Sequence, residues 1–208
     1  AYARCQSEAA AAFGNGDVYL EQALRRARHV EIQVAADVTG EVTHFGEREC
    51  TLQRRHQKLM EVAPSPTLSP ALRERLASAA VAMARAAKLQ SLATFEFLLD
   101  ARPSEAEPAW FFIEANPRLQ VEHTVTEEVT GVGLVHLQLR LAYGETLAPL
   151  RLLPGDIPAS RGFAIQARVN METMAADGTT RPGGGELTAY EQPSGHGIRT
   201  DGFGYAGY

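Results

Sequence analysis

The sequence predicts an α+β fold, a mainly antiparallel sheet flanked by helices, and three observations carry that expectation. Apolar and polar residues alternate with the two-residue period of a half-buried strand over residues 29–34 and 163–170, and residues 94–99 and 110–115 also read as strands. Two of these runs, 94–99 and 110–115, are joined by a Pro-rich acidic loop, as in an antiparallel hairpin. Residues 70–88 and 134–143 instead repeat their apolar side chains at helical spacing. This mixture places the helices on one side of the sheet. At 208 residues and 45% hydrophobic, the chain can bury a sizeable core, as one large domain or one and a half small ones.

Taken in order, the alanine-rich residues 1–12 favour helix, and residues 13–17 (FGNGD) read as a turn. Val18, Tyr19 and Leu20 read as a short strand that delivers Glu21. After the 29–34 strand, residues 37–40 (DVTG) read as a hairpin turn into a strand over 41–45. Ser69 can cap the next helix, and Pro70 sits where a missing N–H costs nothing. Leu72, Leu76, Ala79, Ala80 and Met83 share one face of it. Gly144 stops the second long helix. A late hairpin is expected from residues 186–190 and 197–201 around Pro193, Ser194 and Gly195. Residues 182–185 (PGGG) lack the following lysine and helix of a phosphate loop and read as a turn.

Composition narrows the function classes. A formal charge of −5 argues against a nucleic-acid surface. Two cysteines, Cys5 and Cys50, make no disulfide framework, so a reducing cytoplasm is the expected location. The longest apolar run, 79–84, is far too short to span a bilayer. No signal peptide is visible. The chain opens without methionine, inside a segment of helical composition, which suggests a piece of something longer.

Chemistry concentrates in residues 112–123 (FIEANPRLQVEH). Read as a strand, Glu114, Asn116, Arg118, Gln120 and Glu122 line one face. In the hairpin, Thr94, Glu96 and Leu98 share a face, as do Phe112, Glu114 and Asn116. Glu96 and Glu114 then become cross-strand neighbours. Bare like charges at that range repel or share a proton. A magnesium ion, which takes oxygen ligands, resolves the conflict, with Asn116 completing or orienting the site. The alternative is an exposed face of solvated charges. Arg118 suits bidentate anion binding and Glu122 general-base work, against the alternative of an Arg118–Glu122 surface ladder. Residues 53–58 (QRRHQK) suit a phosphate or small anion better than nucleic acid, or form a solvated basic loop. His29, His44, His123 and His136 are not at metal-ligand spacing.

Together, residues 28–34 (RHVEIQV), 53–58 (QRRHQK), 94–98 (TFEFL) and 114–132 (EANPRLQVEHTVTEEVTGV) resemble biotin carboxylase, the ATP-grasp component of biotin-dependent carboxylases. The resemblance continues in the family's order to residues 167–172 (ARVNME) and 203–208 (FGYAGY). It implies that MgATP phosphorylates bicarbonate and that the carboxyphosphate breaks down to carboxylate a biotin ring nitrogen. By resemblance, Glu96, Glu114 and Asn116 hold Mg²⁺ or Mn²⁺. Arg118, Gln120 and the backbone of Val121 match the bicarbonate site, and Glu122 the general base. Lys58 and Arg168 match cations that hold anionic intermediates and the biotin enolate. Glu21, Leu24, His29, Gln53, His56 and Leu98 match positions that contact ATP.

The sequence departs from the family at Gln22, Ala93, Gly133 and the Gln166-Ala167 pair, and keeps every matched reactive position. The resemblance further implies that residues 1–23 end the ATP-grasp lid and that 24–208 are most of the C-terminal subdomain, about half of a biotin carboxylase. Such a piece is expected to turn over little alone. The implied partners are a biotin carboxyl carrier domain and a carboxyltransferase, with a homodimer possible, and neither nucleic acid nor membrane. Two readings compete: a bicarbonate-phosphorylating enzyme of the carbamoyl-phosphate synthetase type, and a non-catalytic scaffold.

Overall fold

Val30, Ile32 and Val34 point to one face of strand β1 (Ala27–Ala36) and Glu31 and Gln33 to the other, yet all five are fully buried. A strand whose polar and apolar faces are both covered must lie in mid-sheet between packed layers. The computed structural model, which describes residues 1–101 and 108–208, places it there. By internal packing the chain divides into two units, Ala1–Ala167 and Arg168–Tyr208.

In the first unit β1 pairs antiparallel with β2 (Val42–Arg54) and with β4 (Ser91–Asp100). The β1–β2 turn is held by Asp37, whose Oδ1 accepts from the Thr39 amide at 2.9 Å. A tight turn joins β2 to β3 (Gln57–Ala63), with φ of 51° at Arg55 and 64° at His56. Strand β5 (Trp110–Asn116) pairs with β4, and β6 (Ala164–Ala167) with β3. The result is a six-stranded sheet of order β5-β4-β1-β2-β3-β6, antiparallel throughout as expected.

Helix α2 (Pro70–Ala86) opens as its sequence predicts, with the Ser69 hydroxyl accepting from the Leu72 amide at 3.2 Å. Its Leu72, Leu76, Ala80 and Ala84 pack on Val30, Ile32, Val34, Phe95 and Phe97. The opposite face of the sheet carries α3 (His123–Thr130) and α4 (Leu134–Ala142). Leu134, Leu137 and Leu141 cover Ala35, Phe45 and Leu92, while Val125 and Val129 meet Ala63. The helices therefore flank the sheet on both faces, which corrects the expectation of one. Ala35 and Leu92 stand at the parity opposite to Val34 and Ala93, so both faces of the central strands present apolar surface to cover.

Helix α1 (Tyr2–Phe13) forms from the alanine-rich start and ends on Gly14 at φ 72°, the left-handed conformation glycine adopts without strain. Residues 18–20 form no strand; Tyr19 and Leu20 are 82% and 94% exposed, and no ladder partner lies beside them among the described residues. The 163–170 run contracts to the four residues of β6. Most of the acidic loop before Trp110 lies outside the described residues.

In the second unit, strands β7 (Glu172–Met174) and β8 (Thr180–Pro182) pair across a turn where Asp177 Oδ1 accepts from the Thr179 amide at 2.9 Å. The hairpin expected at 186–190 and 197–201 is not formed as strands. There a tyrosine cluster takes over, with Tyr205 and Tyr208 centroids 5.3 Å apart and the Leu187 amide donating to the Tyr208 carbonyl at 3.1 Å. Among the described residues no helix is long and apolar enough to cross a membrane.

Candidate functional site

The β4–β5 hairpin sets Glu96 directly opposite Glu114 and Thr94 opposite Asn116. Beyond the Glu96–Glu114 pair, between Glu96 and Phe97, the ladder slips by one residue, so that Phe97 faces Phe112 and Ile113 is extra. The slip puts Phe112 on the α2 side, where its ring lies 5.9 Å from Phe97 and 6.3 Å from Phe95. Phe112 and Glu114 thus occupy opposite faces, correcting the expectation that they share one. Asn116 Nδ2 donates to Glu96 Oε1 and to Glu114 Oε1, both at 2.8 Å.

The strand ends at Asn116 rather than running on to residue 123. Pro117 has no N–H to continue a ladder, and the Arg118 amide turns back to the Asn116 carbonyl at 2.8 Å. The His123 amide donates to the Gln120 carbonyl at 3.2 Å, and α3 begins. Gln120 and Glu122 are therefore delivered by a folded loop at the start of a helix, and not by strand alternation. Both are buried.

The centre is Lys58. Its ammonium donates to Glu31 Oε2 at 2.5 Å, Glu122 Oε1 at 2.6 Å and Glu96 Oε1 at 3.2 Å. Burial works to lower its pKa, but Glu31 and Glu122 outweigh it and hold the value well above that of an ordinary lysine. Burial pushes Glu96 upward, yet hydrogen bonds from His29 and Gln120 and the charge of Lys58 bring it down to about 2. Burial likewise opposes ionisation of Glu122, and Lys58 overcomes it, so that this carboxyl lies below its usual range. Glu122 is thereby kept as the carboxylate, the form a base requires.

Around this core, Gln120 Nε2 donates to Glu96 Oε1 at 3.0 Å, and its Oε1 is buried with no hydrogen-bond partner. His29 Nε2 lies 2.5 Å from Glu96 Oε2, while Gln53 Nε2 donates to His29 Nδ1 at 2.7 Å. Because the Gln53 amide nitrogen can only donate, Nδ1 is the acceptor and a ring proton resides at Nε2, the nitrogen beside Glu96. Leu98 stands opposite His29 on β4.

The structure thus brings together His29, Gln53, Lys58, Glu96, Glu114, Asn116, Gln120 and Glu122. Arg118 and Val121 are exposed on the loop after β5, and His56 is exposed at the β2–β3 turn. Glu21 is exposed and Leu24 half-buried before β1. Arg168 belongs to the second unit.

Sequence reasoning missed Glu31, Gln33 and Arg48. All three are fully buried under α3, and Arg48 donates to Glu31 Oε1 at 2.5 Å. Glu31 and Gln33 alternate with valine and isoleucine, and Arg48 stands between Glu47 and Glu49, so both stretches read as a solvated face. Only the seat of α3 on that face shows otherwise, and no local signal announces it.

Glu96 and Glu114 on neighbouring strands offer carboxylate oxygens of the kind Mg²⁺ or Mn²⁺ takes, while Asn116 turns its Nδ2 toward both and would have to present its Oδ1 to join them. The unpartnered Gln120 oxygen beside them leaves a polar position for a bound substrate.

Residues 1–150 match the family model described as carbamoyl-phosphate synthase L chain, ATP binding domain. The chain is 44% identical over 206 residues to the pyruvate carboxylase of Bacillus subtilis, covering 97% of this chain and 17% of that protein. It is 47% identical over 205 residues to the chloroplastic biotin carboxylase 1 of Populus trichocarpa, covering 99% of this chain and 37% of that one. Among solved structures, the biotin carboxylase domain of Hydrogenobacter thermophilus 2-oxoglutarate carboxylase superposes with a TM-score of 0.89 at 40% identity. That likeness covers 100% of this chain and 43% of the other, and the structure was solved with MgADP, ADP and bicarbonate. The chain therefore spans well under half the length of these relatives. With more than half of its residues matched, it belongs to the family of the carbamoyl-phosphate synthase L chain ATP-binding domain, as part of a domain of the biotin carboxylase kind.

Proposed function

We propose that this chain is the C-terminal catalytic portion of a biotin carboxylase, which uses MgATP and bicarbonate to carboxylate biotin through carboxyphosphate. The observation that carries this reading is the Lys58 ammonium seated among Glu31, Glu96 and Glu122, with Glu96 shared with the Glu96–Glu114–Asn116 group. Phosphoryl transfer requires positioning and charge neutralisation more than a nucleophilic side chain, and the cluster is built for both.

In this reading Glu96, Glu114 and Asn116 hold the divalent ion, which when bound neutralises the charge of the ATP phosphates. His29, Gln53, His56, Leu98, Glu21 and Leu24 bind the nucleotide. Arg118, Gln120 and the Val121 backbone hold bicarbonate; the open oxygen of Gln120 suits the bicarbonate hydroxyl. Glu122, kept ionised by Lys58, would take the bicarbonate proton as a bicarbonate oxygen attacks the γ-phosphorus, whose bond to the β–γ bridging oxygen breaks with ADP leaving and carboxyphosphate formed. Lys58 holds the anionic intermediate and Arg168 the biotin enolate. Residues 1–23 belong to the lid and 24–208 to the C-terminal subdomain. The partners are a biotin carboxyl carrier domain and a carboxyltransferase, in a dimeric enzyme of the cytoplasm, where the two cysteines stay reduced.

The test is ATP cleavage by the full-length protein, measured with bicarbonate and free biotin each present or omitted. Bicarbonate-dependent cleavage stimulated by biotin supports the reading. Cleavage indifferent to biotin, with carbamoyl phosphate formed from ammonia, would replace it with the carbamoyl-phosphate synthetase reading that the family match also allows. No cleavage with an intact fold would leave the scaffold reading.

A further inference from the structure

Arg48 takes no part in the mechanism above, touches no substrate position, and is the largest fully buried side chain of the described residues. Its guanidinium donates through Nε to Glu31 Oε1 at 2.5 Å and through Nη1 to Gln33 Oε1 at 2.8 Å and Thr126 Oγ1 at 3.0 Å. Through Nη2 it reaches Thr94 Oγ1 at 3.2 Å. Its acceptors thus come from β1, α3 and β4, and Arg48 itself from β2.

These bonds bear on the site in two ways. Glu31 presents one carboxylate oxygen to Arg48 and the other to Lys58, so the fork fixes the plane of the carboxylate that Lys58 leans on. Thr126 lies one turn into α3, whose start is Glu122, so the same fork fixes how α3 sits on the sheet. Lys58 bridges these two ends by bonding both Glu31 and Glu122. We propose that Arg48 is a positioning residue that sets the Glu31–Lys58–Glu122 spacing from beneath, by geometry rather than by charge alone. A planar fork with separate donors can serve several acceptors at fixed angles, which a lysine ammonium at the same place cannot reproduce. The inference rests on the functional reading above only for its kinetic arm.

The test uses Arg48→Lys, Glu31→Gln, their double variant and the milder Thr126→Val in the full-length protein. In Arg48→Lys, which keeps the charge, kcat for bicarbonate-dependent ATP cleavage should fall at least about tenfold while the KM for MgATP stays within about twofold. The double variant should be no slower than Glu31→Gln, because the two act as one unit. Thr126→Val should lower kcat in the same sense by about two- to fivefold, and it decides the matter if Arg48→Lys does not fold. The arm independent of activity is a crystal structure of the folded variant, in which the Glu31 carboxylate should rotate and the Lys58–Glu122 contact lengthen. Losses from Arg48→Lys and Glu31→Gln that multiply, or a Lys58 contact unchanged in the crystal, would overturn the proposal. A parent protein without bicarbonate-dependent cleavage would refute the proposed function, while the crystallographic arm would still judge Arg48.

Discussion

Replacing Lys58 by methionine isolates what one ammonium does for the carboxylates around it. The side chain is 13% exposed, against 0% for Glu31, 4% for Glu96 and 3% for Glu122. Arg48 remains on Glu31, and His29, Asn116 and Gln120 remain on Glu96; Glu122 keeps a backbone hydrogen bond and the field of Arg48 but loses Lys58, the largest of the influences that lower its pKa. Breaking a buried pair from one side costs about 3–5 kcal/mol, and the residual field of Arg48 argues for the low end, about 3 kcal/mol at pH 7.5. The loss should depend on pH in one direction. A carboxyl whose folded pKa lies below its unfolded value, about 4.3 for glutamate, stabilises the fold above that value. The contribution disappears as pH falls through the folded pKa, which for Glu96 is about 2. Glu122, also lowered, behaves in the same sense. Lys58 itself is raised, so its own contribution is constant well below the unfolded lysine value of about 10.4. Without Lys58, burial lifts Glu122, and a proton can relieve it in mild acid. The gap between wild type and variant should therefore narrow from about 3 kcal/mol at pH 7.5 to about 1–2 kcal/mol at pH 4. Urea unfolding of both proteins at the two pH values measures it. A gap that stays constant, or widens in acid, would refute this account of the cluster.

The remaining predictions separate binding from stability. Glu114→Gln should weaken MgATP binding at least about tenfold, about 1.4 kcal/mol by titration calorimetry, with the urea midpoint unmoved because Glu114 is exposed. Glu96→Gln should weaken the same binding and also destabilise the fold, since it disturbs contacts to His29, Lys58, Asn116 and Gln120. Arg118→Ala, on an exposed loop, should leave stability within about 0.5 kcal/mol. Its bicarbonate KM should rise about tenfold through the loss of a charge-assisted hydrogen bond. Leu76→Ala, fully buried between α2 and the sheet, should cost about 3 kcal/mol in urea unfolding, chiefly through the cavity it opens.

How far the sequence foretells this arrangement depends on whether a signal is local. The Ser69-Pro70 start of α2, the Asp37 turn and the Glu96–Glu114 pairing rest on neighbours in sequence or on one hairpin, and they form as expected. The α3 helix was not legible, because residues 117–122 read equally well as a continued strand until Pro117 interrupts the ladder. Nor was the buried network of Glu31, Gln33 and Arg48, since alternation reports which residues share a face and not whether that face is covered. Residues 18–20 and 186–190 show the converse: apolar composition without a neighbouring strand does not make a sheet. Strand parity alone offered Glu96, Glu114 and Asn116 for a metal, Arg118 for an anion and Glu122 as a base; the other roles came from the resemblance, and all of them stand as proposals for the measurements above.

The extra residue in β5 has a further consequence for how this strand can change over time. Ile113 separates a half whose Phe112 ring belongs to the hydrophobic layer from a half, Glu114 to Asn116, that belongs to the polar cluster. Because the offset breaks strict alternation, the first half can drift among aromatic and aliphatic residues without turning the second. Loss of that one residue would restore regular pleating and leave Phe112 opposite Phe97 and Glu114 opposite Glu96, still on opposite faces because neighbouring strand residues alternate. Loss of Ala115 would instead set Asn116 opposite Phe95, on the apolar face and away from Glu96 and Glu114. Length is therefore held more tightly on the polar side of the bulge than at the bulge itself, and deleting Ala115 should be more damaging than deleting Ile113.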